Sequence, residues 1–265
     1  MVREAPPLRI HCSYHKCMTV YVKRVLQAVF NGCLPWSGGY RHYNSDLQAF
    51  QAELGRRRIA SVNNHALDLE ALGATEATGA IGARPFRITR FVRDPRDLVV
   101  SGYHYHRRGA EPWTRLPNPG PDDWRIVHGN IPEAMRGSGQ SFAEHLQGLS
   151  EEEGLLAELE FRRHHFDSMA RWPAEHPDVL TMSYEEALAD QVAVMERLFA
   201  FHRFSRVEHG LGRFFARRYS LQRRSADPHV RNPSSGQWRR HFTPRVTRAF
   251  EQRHGALLEL LGYAR

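Results

Sequence analysis

The pattern that most restricts the fold lies near the start of the chain, where an apolar run, a tight loop and an amphipathic stretch follow one another. The run LRIHC predicts a buried strand. Beyond the loop, apolar residues recur at helical spacing at Val22, Val25, Leu26 and Val29. Asn31-Gly32 then predicts the end of this helix. A strand that leads through a loop into a helix turns backbone N–H groups and the positive helix end toward the loop. Residues 13–21, SYHKCMTVY, therefore predict an anion site.

Four apolar segments predict buried parallel strands. They are Leu8–Tyr14, Arg58–Asn64, Phe86–Val92 and Val179–Ser183. The gaps between them can hold crossover helices, so the chain is predicted to be of the α/β class. Asp94 and Pro95 predict the cap and first residue of a helix, and Thr243-Pro244 predicts the start of the last one.

Two segments lack a sustained period. Residues 108–140 are rich in Pro and Gly, and an irregular insert of this length is usually a lid or a mobile loop. Residues 203–240 are strongly basic and are also predicted to be irregular. The length of the chain suits one α/β domain or two small ones.

The net charge of the chain indicates which classes of ligand it suits, but it does not identify one ligand. The 265 residues include 37 basic and 29 acidic ones, and the net charge of +8 suits an anionic ligand, a nucleic acid, an anionic polymer or simply a solvated surface. Cys12, Cys17 and Cys33 are too few for a disulfide framework and favour a reducing compartment. The sequence shows neither an apolar leader nor a run of roughly 20 apolar residues. We therefore expect a soluble, cytoplasmic protein.

Lys16 is the first candidate for binding an anion, because it lies in the loop before the first helix. A solvated loop lysine is the alternative. The loop contains no glycine and so lacks the Walker A pattern G-x-x-x-x-G-K-[ST], which disfavours ATP or GTP hydrolysis.

Arg93 and Ser101 form the second candidate, in RFVRDPRDLVVS. Arg93 comes at the carboxyl end of a strand, where open α/β sheets bind ligands. Ser101 follows about two helical turns later, within reach of the same phosphate. The alternative is an arginine–aspartate network with Asp94 and Asp97.

RNPSSGQW, residues 231–238, is the third candidate, with a simple turn from Pro233 to Gly236 as its alternative. In this order the three pieces resemble the sulfotransferases that use 3′-phosphoadenosine 5′-phosphosulfate (PAPS). HKCMTVY is similar to the family's loop P-K-S-G-T-T-W, and Arg93–Ser101 matches R-[ND]-P-[RK]-D-x-x-x-S at every specified position. Arg231, Gly236 and Trp238 keep the spacing of R-K-G-x-x-G-x-W, and residues 179–201 resemble the family's strand, Y-E-D turn and helix.

The resemblance implies a P-loop NTPase-like three-layer α/β/α sandwich with a central, mainly parallel sheet, as a single domain over residues 1–265. It implies transfer of the sulfuryl group from PAPS to a hydroxyl or amine by in-line displacement, with 3′-phosphoadenosine 5′-phosphate (PAP) as product and no metal. The acceptor is expected to be a small molecule or a carbohydrate. Nucleic acid is not expected, because the basic residues fall on phosphate-motif positions rather than on an aromatic-lined stripe.

Particular residues acquire roles through the resemblance. Lys16 would stabilise the bridging oxygen, Tyr21 would stack on adenine, and Arg93, Ser101 and Arg231 would bind the 3′-phosphate. The implied donor-binding residues are Lys16, Cys17, Met18, Thr19, Val20, Tyr21, Arg93, Ser101, Tyr184 and Arg231.

His65, after a predicted strand, matches the position of the family's histidine base, which can take a proton from the acceptor near neutral pH. A strand-end histidine without a catalytic role is the alternative, and His104 or His106 is a weaker choice of base. Residues placed on the acceptor side are His104, His106, Trp113, Trp124 and His128. A metal site at His104 and His106 is disfavoured, since no third ligand has a suitable spacing.

Three positions depart from the family's patterns. Met18 stands where the family has glycine, Val20 replaces a threonine, and Pro233 replaces a glycine. If the loop needs a positive φ at residue 18, methionine adds strain. The other hypotheses are therefore a non-catalytic nucleotide-binding relative, a P-loop kinase-like phosphotransferase and a nucleic-acid binder.

Overall fold

The computed structural model describes residues 7–53, 55–63, 67, 85–124, 127–220 and 234–264. The strands are β1 (Leu8–Ser13), β2 (Tyr40–His42), β3 (Ile59–Asn63), β4 (Phe86–Val92) and β5 (Val179–Ser183). The helices are α1 (Thr19–Gln27), α2 (Leu47–Ala52), α3 (Pro95–Arg107), α4 (Phe142–Gly148), α5 (Glu151–Phe161), α6 (Arg163–Ala170), α7 (Tyr184–Ala189), α8 (Gln191–Phe201), α9 (Arg206–Arg218), α10 (Trp238–His241) and α11 (Pro244–Leu260).

The five strands form one sheet in the order β2-β3-β1-β4-β5, and every pair is parallel. The predicted α/β class and parallel sheet are confirmed, and the four predicted strands are present within a residue or two of their expected ends. Because the strands are parallel, their carboxyl ends meet at one edge of the sheet, which is where such sheets bind ligands.

The short edge strand β2 was not predicted. It pairs with β3, and a side chain holds its first residue: Asn31 Nδ2 donates to the Tyr40 carbonyl (2.9 Å), and the Tyr40 N–H donates to Asn31 Oδ1 (2.7 Å). Asn31 lies in the π-helical turn Ala28–Cys33 that continues α1. The Asn31-Gly32 pair, expected to end the helix, thus also secures the next strand.

The chain forms two compact units, residues 1–92 with 175–233 and residues 93–174 with 234–265. The first unit contains the whole sheet. At its centre His11 Nδ1 hydrogen-bonds Thr89 Oγ1 (3.1 Å), and the same hydroxyl meets His202 Nε2 at 3.0 Å. Burial lowers the pKa of His11 to about 3, so the imidazole is neutral at physiological pH.

The second unit is helical in its described residues, with an aromatic core. Trp113, Trp124, Phe142 and Phe161 pack with ring centroids 5.2–6.1 Å apart. Among them Glu158 accepts from Arg162 Nε (2.7 Å) and pairs with the His106 imidazole. Gly102 gives this carboxylate room, since a Cβ there would lie 2.0 Å from Glu158 Oε1. A buried ionic cluster, held together by these hydrogen bonds, therefore sits within an apolar core.

The prediction of an irregular segment over residues 203–240 was wrong, because α9 runs through Arg206–Arg218 and α10 begins at Trp238. A capping box between Ser205 and Glu208 starts α9, whose buried face is Glu208, Gly212 and Ala216. Two small residues and a glutamate give little apolar signal, so the helical period was missed.

Two predicted helix starts are confirmed, with Asp94 capping α3 and Thr243 capping α11. Residues 108–140 contain two short 3₁₀ turns, Pro112–Arg115 and Glu133–Met135. Across the described ranges, each helix is too short or too polar to cross a lipid bilayer.

Candidate functional site

The loop between β1 and α1 turns sharply through two left-handed residues. Lys16 has a φ of 70° and Met18 a φ of 59°, and the Cys17 N–H donates to the Tyr14 carbonyl (3.0 Å). Met18 is the N-cap of α1, where its thioether offers no oxygen to the first N–H groups of the helix. The positive φ at residue 18 explains why glycine suits this position, and the Met18 side chain does not cap the first N–H groups of α1.

Side chains brace the loop from within. Thr19 Oγ1 donates to the Tyr14 carbonyl (3.2 Å) and lies 2.8 Å from Ser13 Oγ. The Cys17 side chain is fully buried, whereas Val20 is 42% exposed. The Thr19 hydroxyl thus already has partners inside the loop, and the buried Cys17 side chain helps to hold the loop against the core.

Tyr21 is fixed by its hydroxyl, which donates to the carbonyls of Ala216 (3.1 Å) and Gln191 (3.4 Å). Burial, with the nearby Asp190 carboxylate, raises the pKa of Tyr21, so the phenol stays protonated and keeps donating. The ring is half-buried against α8 and α9. Tyr184, the first residue of α7, is buried directly after β5.

At the β4–α3 junction, the helix start is occupied by the protein itself. Asp94 Oδ1 accepts from the Arg96 N–H (2.9 Å), and the Asp94 carboxylate also binds the Arg96 guanidinium through two bonds of 2.9 and 3.0 Å. Arg93, which directly follows β4, is only 3% exposed. Ser101 lies about two turns into α3 and is half-buried.

Asp97 connects this junction with the segment that leads into α10. Its carboxylate accepts from the Gly236 N–H (2.6 Å) and the Trp238 N–H (3.0 Å), and Arg93 Nη2 lies 4.0 Å from it. Arg93 Nη2 also donates to the Ser234 carbonyl (3.3 Å). The pKa of Asp97 is raised above its usual value, because the effect of burial exceeds the opposite effects of the two N–H donors and Arg93. The arginine–aspartate network considered from the sequence is therefore present, and it holds residues 234–238 against α3.

The Trp238 ring is stacked under the Arg96 guanidinium, 3.8 Å from its centroid. Sequence reasoning did not give Asp97 or Arg96 this linking role. The i, i+4 spacing of Arg93 and Asp97 was the available signal.

The predicted histidines differ in what the structure says of them. His65 and Arg231 lie outside the described residues. His106 is fully buried, with Nδ1 2.7 Å from Glu158 Oε2, and its place on the acceptor side stays a prediction. Trp113 packs flat on Phe161, with centroids 5.2 Å apart. His104 is half-buried beside Tyr103 and His241.

Sequence reasoning also passed over His42, at the carboxyl end of β2. Its Nδ1 lies 2.8 Å from Ser61 Oγ, which in turn lies 2.6 Å from the Tyr40 hydroxyl. Burial, helped by the Lys23 charge, lowers the pKa of His42 to about 4. The imidazole is therefore neutral at physiological pH, and it is a weak base.

Solved structures with a similar fold include two enzymes crystallised with PAP. Mouse sulfotransferase SULT7A1 complexed with PAP is 20% identical, with a TM-score of 0.53 and coverage of 96% of this chain and 84% of that one. Retinol dehydratase in complex with androsterone and inactive cofactor PAP is 14% identical, with a TM-score of 0.50 and coverage of 96% and 82%. At these identities the likeness concerns the fold, and it confirms the P-loop NTPase-like architecture.

A comparison with curated proteins gave no match. The sulfotransferase domain, in contrast, matches residues 80–262, a segment that includes the β4–α3 junction, the strand β5 and the helices that follow it. Since this match spans more than half of the sequence, the chain belongs to the sulfotransferase domain family.

Proposed function

We propose that this protein transfers the sulfuryl group of PAPS to a hydroxyl group of a small-molecule acceptor by in-line displacement. The observation that carries the proposal is the β1–α1 loop, in which Lys16 precedes a helix start whose N-cap, Met18, has no oxygen in its side chain. A helix N-terminus of this kind suits a phosphate or sulfate group. Membership of the sulfotransferase domain family and the PAP bound to two structural neighbours support the choice of donor.

In this proposal the loop binds the 5′-phosphosulfate. The first N–H groups of α1 and the Lys16 ammonium would stabilise the negative charge that grows on the bridging oxygen as the S–O bond breaks. The Cys17, Met18 and Val20 backbone would line the phosphate, while Thr19 shapes the loop. Positioning and electrostatic stabilisation are the two contributions that an in-line transfer of this type needs.

Arg93 and Ser101 would bind the 3′-phosphate, together with Arg231. Since Asp94 already caps α3, recognition there falls on side chains rather than on the helix dipole. A planar guanidinium suits the task because its N–H groups match the phosphate oxygens. The Tyr21 ring, fixed through its hydroxyl, would stack on adenine, and Tyr184 would lie near the adenine edge.

His65 is the proposed general base. His104 is the weaker alternative for this base. His42 is a poor candidate, because its pKa of about 4 makes it a weak proton acceptor at neutral pH. A hydroxylated small molecule is the proposed acceptor class, since one structural neighbour was crystallised with androsterone. We also propose a cytoplasmic location, because three cysteines form too small a set for a disulfide framework.

The first experiment separates the donor classes. PAP is expected to raise the melting temperature in a concentration-dependent manner, and ATP much less, since ligands that bind only the folded state stabilise it. Incubation with ³⁵S-labelled PAPS and separate panels of phenols, sterols, sugars and amines then tests transfer. Equal stabilisation by ATP would favour a phosphotransferase, and PAP binding without transfer to any panel would favour a non-catalytic relative.

Lys16→Ala is the variant that tests the chemistry. We expect kcat to fall by about 100-fold or more, since removal of a donor that stabilises developing charge typically has this effect. Lys23→Ala, at the only other lysine of the chain, is the matched control. Equal kcat values for the two variants would contradict the role of Lys16.

A further inference from the structure

Three helices of the second unit bring two imidazoles and a carboxylate together. His104 is on α3, Glu151 is the first residue of α5, and His241 is the last residue of α10. One possible ligand atom from each residue lies within 4.8 Å of the others. The His241 Nδ1 and Glu151 Oε1 atoms are 2.5 Å apart, and the two imidazole centroids are 5.2 Å apart in an edge-to-face arrangement.

We propose that His104, Glu151 and His241 form a binding site for Zn²⁺. Zinc bonds of about 2.0–2.2 Å to nitrogen and oxygen in a tetrahedron place neighbouring ligand atoms about 3.3 Å apart. The His241 Nδ1–Glu151 Oε1 separation of 2.5 Å is shorter than that value, and the three ligand atoms lie within 4.8 Å of one another. Entry of an ion therefore requires the His241–Glu151 hydrogen bond to open. Two imidazoles and one carboxylate are a common zinc donor set, with a water molecule in the fourth position. Imidazole donors favour Zn²⁺ over Ca²⁺ and Mg²⁺, which prefer oxygen.

The surroundings hold the three ligands in place. Ser150 and Glu153 form a capping box that fixes the start of α5, where Glu151 lies. The neighbouring Glu152 accepts from Thr243 and from Arg245 Nη1 (3.1 Å), which ties the residues after α10 to the same helix start. Glu152 is thus engaged elsewhere, whereas Glu151 is directed toward His241. His104 and His241 are half-buried and Glu151 is exposed, so an ion can enter from solvent.

The consequence of such a site is structural. The ion would join α3 to α10, which directly follows the segment that Asp97 holds. His104 would then be a metal ligand rather than an acceptor-side residue. The expectation that His104 and His106 lack a third ligand came from spacing alone. His241 and Glu151 are distant from His104 in the sequence, so spacing gave no sign of them.

The test uses the full chain, freed of metal with a chelator and titrated with Zn²⁺ by calorimetry. We expect one ion per chain, a rise in melting temperature, and, with Co²⁺, the intense visible absorption of a tetrahedral site. Glu151→Gln and His241→Gln should each weaken Zn²⁺ binding by about 10-fold or more, on the scale set by lost ligand interactions.

Glu152→Gln is the matched control, because it removes a neighbouring carboxylate that serves Thr243 and Arg245 instead. His176→Gln controls for weak binding by a histidine of the other unit. If the wild-type protein binds Zn²⁺ no more tightly than Glu151→Gln, or if Glu152→Gln weakens binding as much, the site is an ordinary surface ion pair and the proposal is wrong. Since Glu151 is exposed, the Glu151→Gln variant should fold. Any loss of Zn²⁺ binding can then be attributed to the missing carboxylate. The measurement needs no PAPS, so its outcome is separate from that of the proposed function.

Discussion

Two helix starts carry the proposed donor contacts, and they are built in opposite ways. At the β1–α1 loop the backbone shapes the helix start. Lys16 and Met18 are both in the left-handed region, and the N-cap carries a thioether. At the β4–α3 junction side chains shape the helix start. Asp94 caps the helix, and Arg93 and Asp97 are almost completely buried. The first start has no oxygen-bearing side chain at its N-cap, whereas at the second the Asp94 carboxylate already accepts from the Arg96 N–H.

The two helix starts therefore differ in the atoms that they can offer to a ligand. A helix start without a side-chain cap recognises an anion through N–H groups and the helix dipole, and in this loop Lys16 adds a positive charge to them. A capped start has to rely on a charged side chain held in place by its neighbours. Loss of a charged side chain should therefore weaken ligand binding strongly at the β4–α3 junction. At the loop, a change of backbone preference should matter as well, in addition to loss of the Lys16 charge.

The largest expected effect is that of Arg93→Ala. The substitution removes the guanidinium proposed for the 3′-phosphate, which also lies 4.0 Å from the buried Asp97 carboxylate. Charge-assisted hydrogen bonds contribute about 1.5–3 kcal/mol each, so we expect PAP affinity to fall by about 100-fold. Isothermal titration with PAP measures it.

Arg107→Ala, an exposed arginine at the end of the same helix, serves as the control. If both variants bind PAP with wild-type affinity, Arg93 has no part in 3′-phosphate recognition and the junction is a structural feature only.

Asp97→Asn should have the next largest effect, on stability. The carboxylate accepts from two backbone N–H groups, and an amide can present only one oxygen to them, so its NH₂ group would face a donor. We expect the free energy of unfolding to fall by about 2–3 kcal/mol, since a buried donor loses its partner. Urea denaturation measures the change, and an unaltered midpoint would show that the network does not hold residues 234–238.

The β4–α3 junction also shows how much of the structure could be predicted from the sequence. Asp94-Pro95 predicted both the cap and the helix start, because capping depends on neighbours in the chain, and the α/β class followed from the strand periods. What the sequence did not reveal depends on partners far along the chain. Asp97 binds Gly236 and Trp238, and His104 meets His241, and no local period reports such pairs. His65 and Arg231 stay predictions, and so does the single domain of residues 1–265.

The smallest expected effect, that of Met18→Gly, tests the other half of the comparison. A left-handed φ costs an L-residue about 1–2 kcal/mol, and glycine avoids this at a cost of about 0.5–1 kcal/mol in unfolded-state entropy. We therefore expect the free energy of unfolding to rise by up to about 1 kcal/mol. Val20→Gly, two residues along in the first turn of α1, should instead lower it by about 1 kcal/mol, because helical glycine has no such relief. Chemical denaturation of the two variants measures both signs. Equal destabilisation by both substitutions would mean that the backbone at residue 18 is unstrained, and that the loop and the β4–α3 junction differ less than their geometry indicates.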